Sequence, residues 1–426
     1  MEFVFDVEGI RREFPACTRQ VGGVPVAYLD APGGSQVPAR VAQAVYDYLI
    51  FHNANESGFF GTSVETEKIE TDGRAAAADL LGCCSEEIGF NCSSTQNNFN
   101  LAFALAKRIQ KSDEIVITEM EHRCNRAPWI ALGEDFGAVV KIVRVDPVTQ
   151  QIDMEDLRSK LSPKTKIAAF NWASNAIGTV SDVKKMCAMA HEYGAVTVVD
   201  AVHYVPHFPV CVKDIDTDVL LCSAYKWFGP HVGVIYMKGA LIEALDLYNV
   251  KADDILTGVR KFHMGTPQFE LIAGVTEAVE FIASVGEKYA PFFEKELGDS
   301  AGRRRNVLAG MMAFDEYEKP LAKKLREELR NVPGVKVYGP KEGEPRTSTV
   351  SITIEGIRPS EACKILGAKG IYAWDGDFYA VELVNDTLGL RDAGGVIRFG
   401  LAPYNTEGDI DRTIQVIREI AFSKMK

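Results

Sequence analysis

From Ile88 to Met237 the chain alternates short β-branched apolar runs with stretches whose apolar residues recur at helical spacing. The runs Ile88–Phe90, Ile115–Thr118, Val139–Val145, Ile167–Trp172, Ala195–Val199, Val219–Cys222 and Val232–Met237 read as strands. Asn98–Ile109, Met154–Leu161 and Val183–Tyr193 read as helices between them. Strands separated by helices need crossover connections, so this half predicts an α/β fold, a mostly parallel sheet covered by helices on both faces. Ahead of it, Pro38–Tyr48 and Glu65–Leu81 carry helical patterns, separated by the polar stretch Asn53–Thr62. The rhythm changes after Thr266. Helical patterns at Gln268–Val285, Pro291–Asp315 and Lys319–Arg330 precede strands at Val335–Tyr338, Ser348–Ile354, Ile371–Trp374 and Val396–Leu401. Helices are expected at Ser360–Leu366 and Thr406–Phe422. The expected organisation is an N-terminal arm over 1–27 packing with the small domain, a large domain over 28–285, and a smaller α+β domain over 286–426.

Two of the predicted strands end on charge. Asp200 closes Val196-Thr197-Val198-Val199, and Lys226 follows Val219-Leu220-Leu221-Cys222 by way of Ser223-Ala224-Tyr225. A lysine at the mouth of a buried strand loses hydration, which disfavours its charge and leaves a free amine suited to a Schiff base. Such a lysine also snorkels to water in many proteins, and the lysine alone leaves both readings open. A carboxylate on a neighbouring strand end gives the pair one purpose: it would keep the ring nitrogen of pyridoxal phosphate protonated, making the ring an electron acceptor. Active sites of parallel sheets lie at the carboxyl ends of the strands, where Asp200, Ser223, Lys226 and Asn175 all fall. Cys92–Asn100 offers small hydroxylated residues at a helix start, suited either to a phosphate or to an ordinary N-cap by Ser94 or Thr95.

Asp200-Ala201-Val202-His203 and Ser223-Ala224-Tyr225-Lys226 resemble motifs of the class V aminotransferase and cysteine desulfurase family of pyridoxal phosphate enzymes. So do Glu119-Met120-Glu121-His122, Ser174–Thr179 and Gly265-Thr266-Pro267, in the family's order and spacing, from about Tyr28 to the end. The resemblance implies the fold-type-I architecture, pyridoxal 5'-phosphate as cofactor and an amino acid as small-molecule substrate. It assigns Lys226 and His122 to catalysis, Lys226 as Schiff-base lysine and proton carrier, His122 stacked on the cofactor ring. Ser94, Thr95, Gln96, Asn175, Asp200, His203, Ser223, Tyr225 and Thr266 match cofactor-binding positions. Thr266 matches the residue a partner subunit lends, which implies a homodimer with shared sites. Arg398 matches the arginine that grips the substrate carboxylate through its bidentate fork.

The departures carry information. Asn98 stands where the desulfurases usually have glycine, Tyr225 where they have histidine, and His203 where they have glutamine. Trp374 and Tyr379 replace the usual arginine and sulfur-accepting cysteine, and no cysteine follows Cys363. A tyrosine cannot take sulfur as a persulfide, so Tyr379 becomes a substrate-binding candidate. The expected reaction is then β-elimination of the C–S lyase type. Alternatives are transamination, epimerisation, or, in another class, a pyridoxal phosphate-binding regulator without turnover.

Composition narrows the setting. Of 426 residues, 47 are basic and 59 acidic, a net charge of −12 that argues against a nucleic-acid or anionic-membrane binder. No apolar run is long enough to span a membrane, and the acidic start Met1–Asp6 lacks a signal peptide's basic region, so a cytoplasmic location is expected. The nine cysteines have no paired spacing and read as reduced thiols. Neither a P-loop nor a G-x-G-x-x-G is present.

Overall fold

The structure, a computed structural model, describes residues 3–247, 249 and 257–424. The outermost residues of the expected arm and C-terminal domain, 1–2 and 425–426, lie outside the described residues. A seven-stranded sheet organises the chain: β1 (Ile88–Asn91), β2 (Glu114–Thr118), β3 (Val139–Val143), β4 (Thr165–Asn171), β5 (Val196–Asp200), β6 (Val219–Ser223) and β7 (Gly233–Met237). Their spatial order is β1-β7-β6-β5-β4-β2-β3. All run parallel except β7, which is antiparallel to both neighbours. The alternation of side chains along each strand explains why these runs are apolar throughout. Ile115, Ile117, Val198, Leu221 and Ile235 enter one core, with the helix Ser94–Ala106. Val116, Val199, Leu220, Cys222 and Val234 enter the other, with the helix Phe269–Tyr289.

A second sheet, all antiparallel, has the order β8-β9-β11-β10, from β8 (Val335–Tyr338), β9 (Thr349–Ile354), β10 (Trp374–Gly376) and β11 (Val396–Gly400). Val350, Ile352, Ile397 and Phe399 bury one of its faces against Leu325, Leu329, Ile414 and Ile417. The beginning of the chain is tied down by rings: Phe5 stacks on Tyr317 at 4.3 Å and on Tyr289 at 5.4 Å.

Three of the expected elements differ from the sequence reading, and the helix Ala127–Phe136 was not expected. The helix expected from Asn98 begins at Ser94, because Ser93 caps it by accepting the Gln96 N–H at 3.1 Å. Its first turn is polar, so apolar periodicity could not show it. The two helices expected over Pro291–Asp315 and Lys319–Arg330 are instead a short one, Glu294–Leu297, and one long helix, Gly302–Arg330, that runs straight past Pro320. Proline removes one backbone hydrogen bond, yet buried side chains on both sides hold the helix through it. Val307, Met311 and Phe314 lie in the core of the seven-stranded sheet, Leu321, Leu325 and Leu329 in that of the second. Gly286 lets the helix Phe269–Tyr289 touch this long helix, since a Cβ there would lie 1.7 Å from the Asn306 carbonyl oxygen. Finally, the strand expected over Ile371–Trp374 divides: Ile371–Tyr372 pairs in parallel with Ala27–Tyr28, and Trp374 begins β10 beside β11. Among the described residues, no helix is long and apolar enough to cross a membrane.

Candidate active site

The carboxyl ends of β4, β5 and β6 open into one cavity with an empty volume of about 550 Å³. Ladder register fixes what stands there. Asn171 is paired with Asp200 across β4 and β5, and Asp200 with Leu221 across β5 and β6. Asn171 and Asp200, the last residues of β4 and β5, therefore share one rim, and β6 runs two residues past it to Ser223. Ser94, Thr95, His122, Asn175, Asp200, His203, Ser223, Tyr225 and Lys226 all line the cavity, together with Cys124 and Asn171. Gly233 permits this: a Cβ at that position would lie 2.1 Å from the Ser93 carbonyl carbon, so glycine lets the Ser93–Ser94 turn settle on β7. Ser94 Oγ donates to the Cys222 carbonyl at 2.5 Å and lies 2.7 Å from Ser223 Oγ.

Lys226 directs its amine to the carbonyl of Pro32. Part of the side chain faces the cavity, but the amine lies deep, and burial lowers its pKa to about 7. The positive charge of Arg398 adds to that shift, while Asp200 and Cys124 oppose it. Asp200 accepts the Val202 N–H at 3.0 Å and the Cys124 thiol at 3.5 Å. Burial raises its pKa, against these two hydrogen bonds and the charge of Lys226. The same burial keeps the Cys124 thiol protonated, its pKa well above the usual range.

His122 accepts the Cys124 N–H through Nδ1 at 3.0 Å, and burial lowers its pKa to about 4. It is therefore neutral near pH 7 with its proton on Nε2. The preceding residue, Glu121, is wholly buried and accepts from Thr118, Asn125 and the Asn171 N–H, tying the end of β2 to β4. His203 is held through Nε2 by the hydroxyls of Thr349 at 2.8 Å and Thr347 at 3.3 Å. Its Nδ1, like Asn175 Oδ1 and Asn171 Oδ1, is buried with no hydrogen-bond partner among the described residues. Three orphaned polar atoms around one cavity leave it chemically incomplete as it stands.

Arg398 and Tyr379 border the cavity without lining it. Arg398, on β11, donates through Nη1 to the Asn175 carbonyl at 2.8 Å and lies 3.7 Å from the centroid of the Phe378 ring. Burial lowers its pKa to about 9, and the carboxylate of Asp30 opposes that. Asp30 is itself raised to about 6 by burial. Tyr379 sits with its ring 5.4 Å from that of His122. Gln96 and Thr266 are elsewhere, lining a neighbouring cavity with an empty volume of about 560 Å³ together with Cys92 and Met264. What the sequence did not show are the contacts that bring Phe378, Asp30 and Pro32 to the site. Asp30 acts on Arg398 from the far end of the chain, and Pro32 acts through a backbone carbonyl that receives Lys226, 194 positions on, so neither leaves a local pattern.

Residues 27–303 and 307–413 match the family model of the class-V aminotransferases. An aminotransferase-like protein of Gibberella zeae is 31% identical, over 98% of this chain and 98% of that one. The cysteine desulfurase of Haloferax volcanii is 27% identical over 97% of this chain and 96% of its own. That of Escherichia coli K12 is 27% identical over 98% of both. Among solved structures, the apo cysteine desulfurase of Thermococcus onnurineus covers 99% of both chains with a TM-score of 0.86 at 23% identity. The cysteine desulfurase CsdA of Escherichia coli does so with a TM-score of 0.82 at 24% identity. These two share the fold, including the mostly parallel sheet and the C-terminal antiparallel one. The chain belongs to the aminotransferase class-V family and is cysteine desulfurase-like.

Proposed function

We propose that this protein binds pyridoxal phosphate in the cavity at the ends of β4–β6 and uses it to break the carbon–sulfur bond of an amino acid by β-elimination. The observation that carries the reading is the meeting of a lysine amine with a pKa near 7 and a buried aspartate on adjacent strand ends. The family implies the cofactor, and the residues fit it. Ser94, Thr95 and Ser223 supply hydroxyls at a capped helix start for the phosphate, with Tyr225 a further donor. Asn175 Oδ1 and His203 Nδ1 are the buried atoms for which a bound ring would supply partners. When bound, the cofactor draws off the electrons released at the substrate's α-carbon.

The remaining roles belong to the chain. Asp200 holds a proton at the ring nitrogen. Lys226, partly neutral near pH 7, removes the α-proton. Arg398 orients the carboxylate through the guanidinium edge that Asn175 does not occupy. His122, neutral with its proton on Nε2, can donate a hydrogen bond to a departing sulfur. Tyr379 stands at the cavity mouth in the place we assign to the sulfur-accepting cysteine, and the one thiol lining the cavity, Cys124, is committed to Asp200. Sulfur therefore leaves with the product. We further propose a homodimer in which Thr266 serves the partner's site. The exposed apolar side chains Leu49, Ile50, Phe51, Phe59 and Phe60 support a surface that a second copy covers.

The test is to identify the three-carbon product when cofactor-loaded protein is given L-cysteine or an S-substituted L-cysteine. Pyruvate with ammonia and sulfide or thiol is expected. Alanine would overturn elimination in favour of desulfuration, and pyridoxamine phosphate left on the protein would make it an aminotransferase. An absorbance spectrum indifferent to every amino acid would leave only a cofactor-binding protein.

A further inference from the structure

We propose that the substrate is a cysteine thioether whose sulfur carries an aromatic or branched apolar group, selected by a wall of Trp374, Phe378 and Tyr379. This rests on the elimination reading above and names its substrate class. Phe378 and Tyr379 have φ of +55° and +60°, consecutive residues in a left-handed conformation that aromatic side chains rarely adopt. Glycine or asparagine would hold such a turn with less strain. The turn is instead clamped. Asn175 Nδ2 donates to the Phe378 carbonyl at 2.9 Å, and the Arg123 N–H to the Tyr379 carbonyl at 2.8 Å. Asp377 accepts the Tyr379 N–H at 3.0 Å and is braced by Asn385, also at 3.0 Å. Strain so heavily secured marks a place where the rings matter.

Each ring has a station around the reacting groups. The Arg398 guanidinium carbon lies over the Phe378 ring, 3.7 Å from its centroid, so the ring shields it on that side. Tyr379 flanks His122. Trp374 lies against Gly33, where a Cβ would come 2.4 Å from its Nε1, and the next residue back, Pro32, receives the Lys226 amine. Yet Trp374 is 52% exposed and Tyr379 66% exposed, so their apolar faces remain wet. Cysteine itself is too short to cover them. A group attached through sulfur extends from the Cβ and would bury those faces.

The reaction balances without any redox partner. A thioether R–S–CH2–CH(NH3+)–COO− and one water give R–SH, pyruvate and ammonium. The Cβ–S bond breaks with its electron pair leaving on sulfur, which takes up a proton, and the α-proton removed by Lys226 returns to the three-carbon fragment.

The experiment compares ligands on the cofactor-loaded wild-type protein. L-Alanine and L-phenylalanine, which have no leaving group, are titrated by calorimetry, and S-methyl- and S-benzyl-L-cysteine are assayed for released thiol and pyruvate. Phenylalanine is expected to bind about tenfold more tightly than alanine, and S-benzylcysteine to exceed S-methylcysteine about tenfold in kcat/KM. Tyr379→Ser should bring the binding ratio close to one. Equal binding of alanine and phenylalanine, with pyruvate still produced, would overturn this inference and leave the elimination reading standing. Failure of all four compounds to bind would overturn both. Should the variant not fold, the wild-type ratios still decide the matter.

Discussion

The floor and the mouth of the cavity are built in opposite ways. Asp200 and Ser223 occupy the last positions of β5 and β6, so the sheet's hydrogen-bond ladder sets their spacing, and Lys226 follows three residues after Ser223. The wall around Phe378 and Tyr379 is a turn whose backbone is unfavourable by roughly 1–2 kcal/mol per left-handed residue. Only a handful of hydrogen bonds from Asn175, Asp377 and the Arg123 N–H oppose that cost. Chemistry placed on a ladder survives changes in its neighbours, whereas a wall placed on a clamped turn can be rebuilt by exchanging a few side chains.

The sharpest attack on the floor is Lys226→Ala. Turnover should fall by about a thousandfold or more, since the variant loses both the anchoring amine and the proton carrier. Borohydride treatment of the loaded protein should no longer attach cofactor to the chain, as read by mass spectrometry. Retention of covalent attachment at another lysine would break the assignment.

A second test uses pH. With a pKa near 7, about a tenth of the Lys226 amines are neutral at pH 6 and about nine-tenths at pH 8. Borohydride-trapped attachment should therefore rise several-fold across that interval and then level off, and a rise centred near pH 10 would show an ordinary solvated lysine. The same shift acts on stability. An unfolded lysine keeps its proton up to about pH 10.4, so between pH 7 and that value the unfolded apoprotein binds more protons. Stability of the apoprotein contributed by this group should rise with pH through that window, and Lys226→Met should flatten the dependence in melting curves.

The smallest effect concerns the mouth. Asp377→Ala removes the acceptor for the Tyr379 N–H and the partner of Asn385. It should lower stability by about 1 kcal/mol and reduce the preference for bulky ligands while leaving covalent attachment at Lys226 intact. If attachment also failed, floor and mouth would not be separable.

Much of the floor was legible in the sequence because its residues close apolar runs, where a polar side chain stands out. The helix start at Ser94 was not, since its first turn is polar and looks like loop. Pro320 misled in the other direction: a local breaker was overridden by two buried stripes that only the tertiary fold supplies. The part played by Asp30 was hidden for another reason. Its carboxylate matters through Arg398, a neighbour 368 positions away along the chain. Gln96, matched to the same cofactor by resemblance, opens onto the adjacent cavity instead, beside Thr266, the residue matched to a partner's site.

The helix Gly302–Arg330 limits how this protein can be inherited. One half of it completes the core under the seven-stranded sheet and the other half completes the core under the second sheet. A recombination breakpoint inside it would strand an apolar stripe on each parental fragment, so the C-terminal part cannot be exchanged as a cassette cut within residues 302–330. Substitution in place avoids that cost, and the short aromatic turn at the mouth is a small target for it.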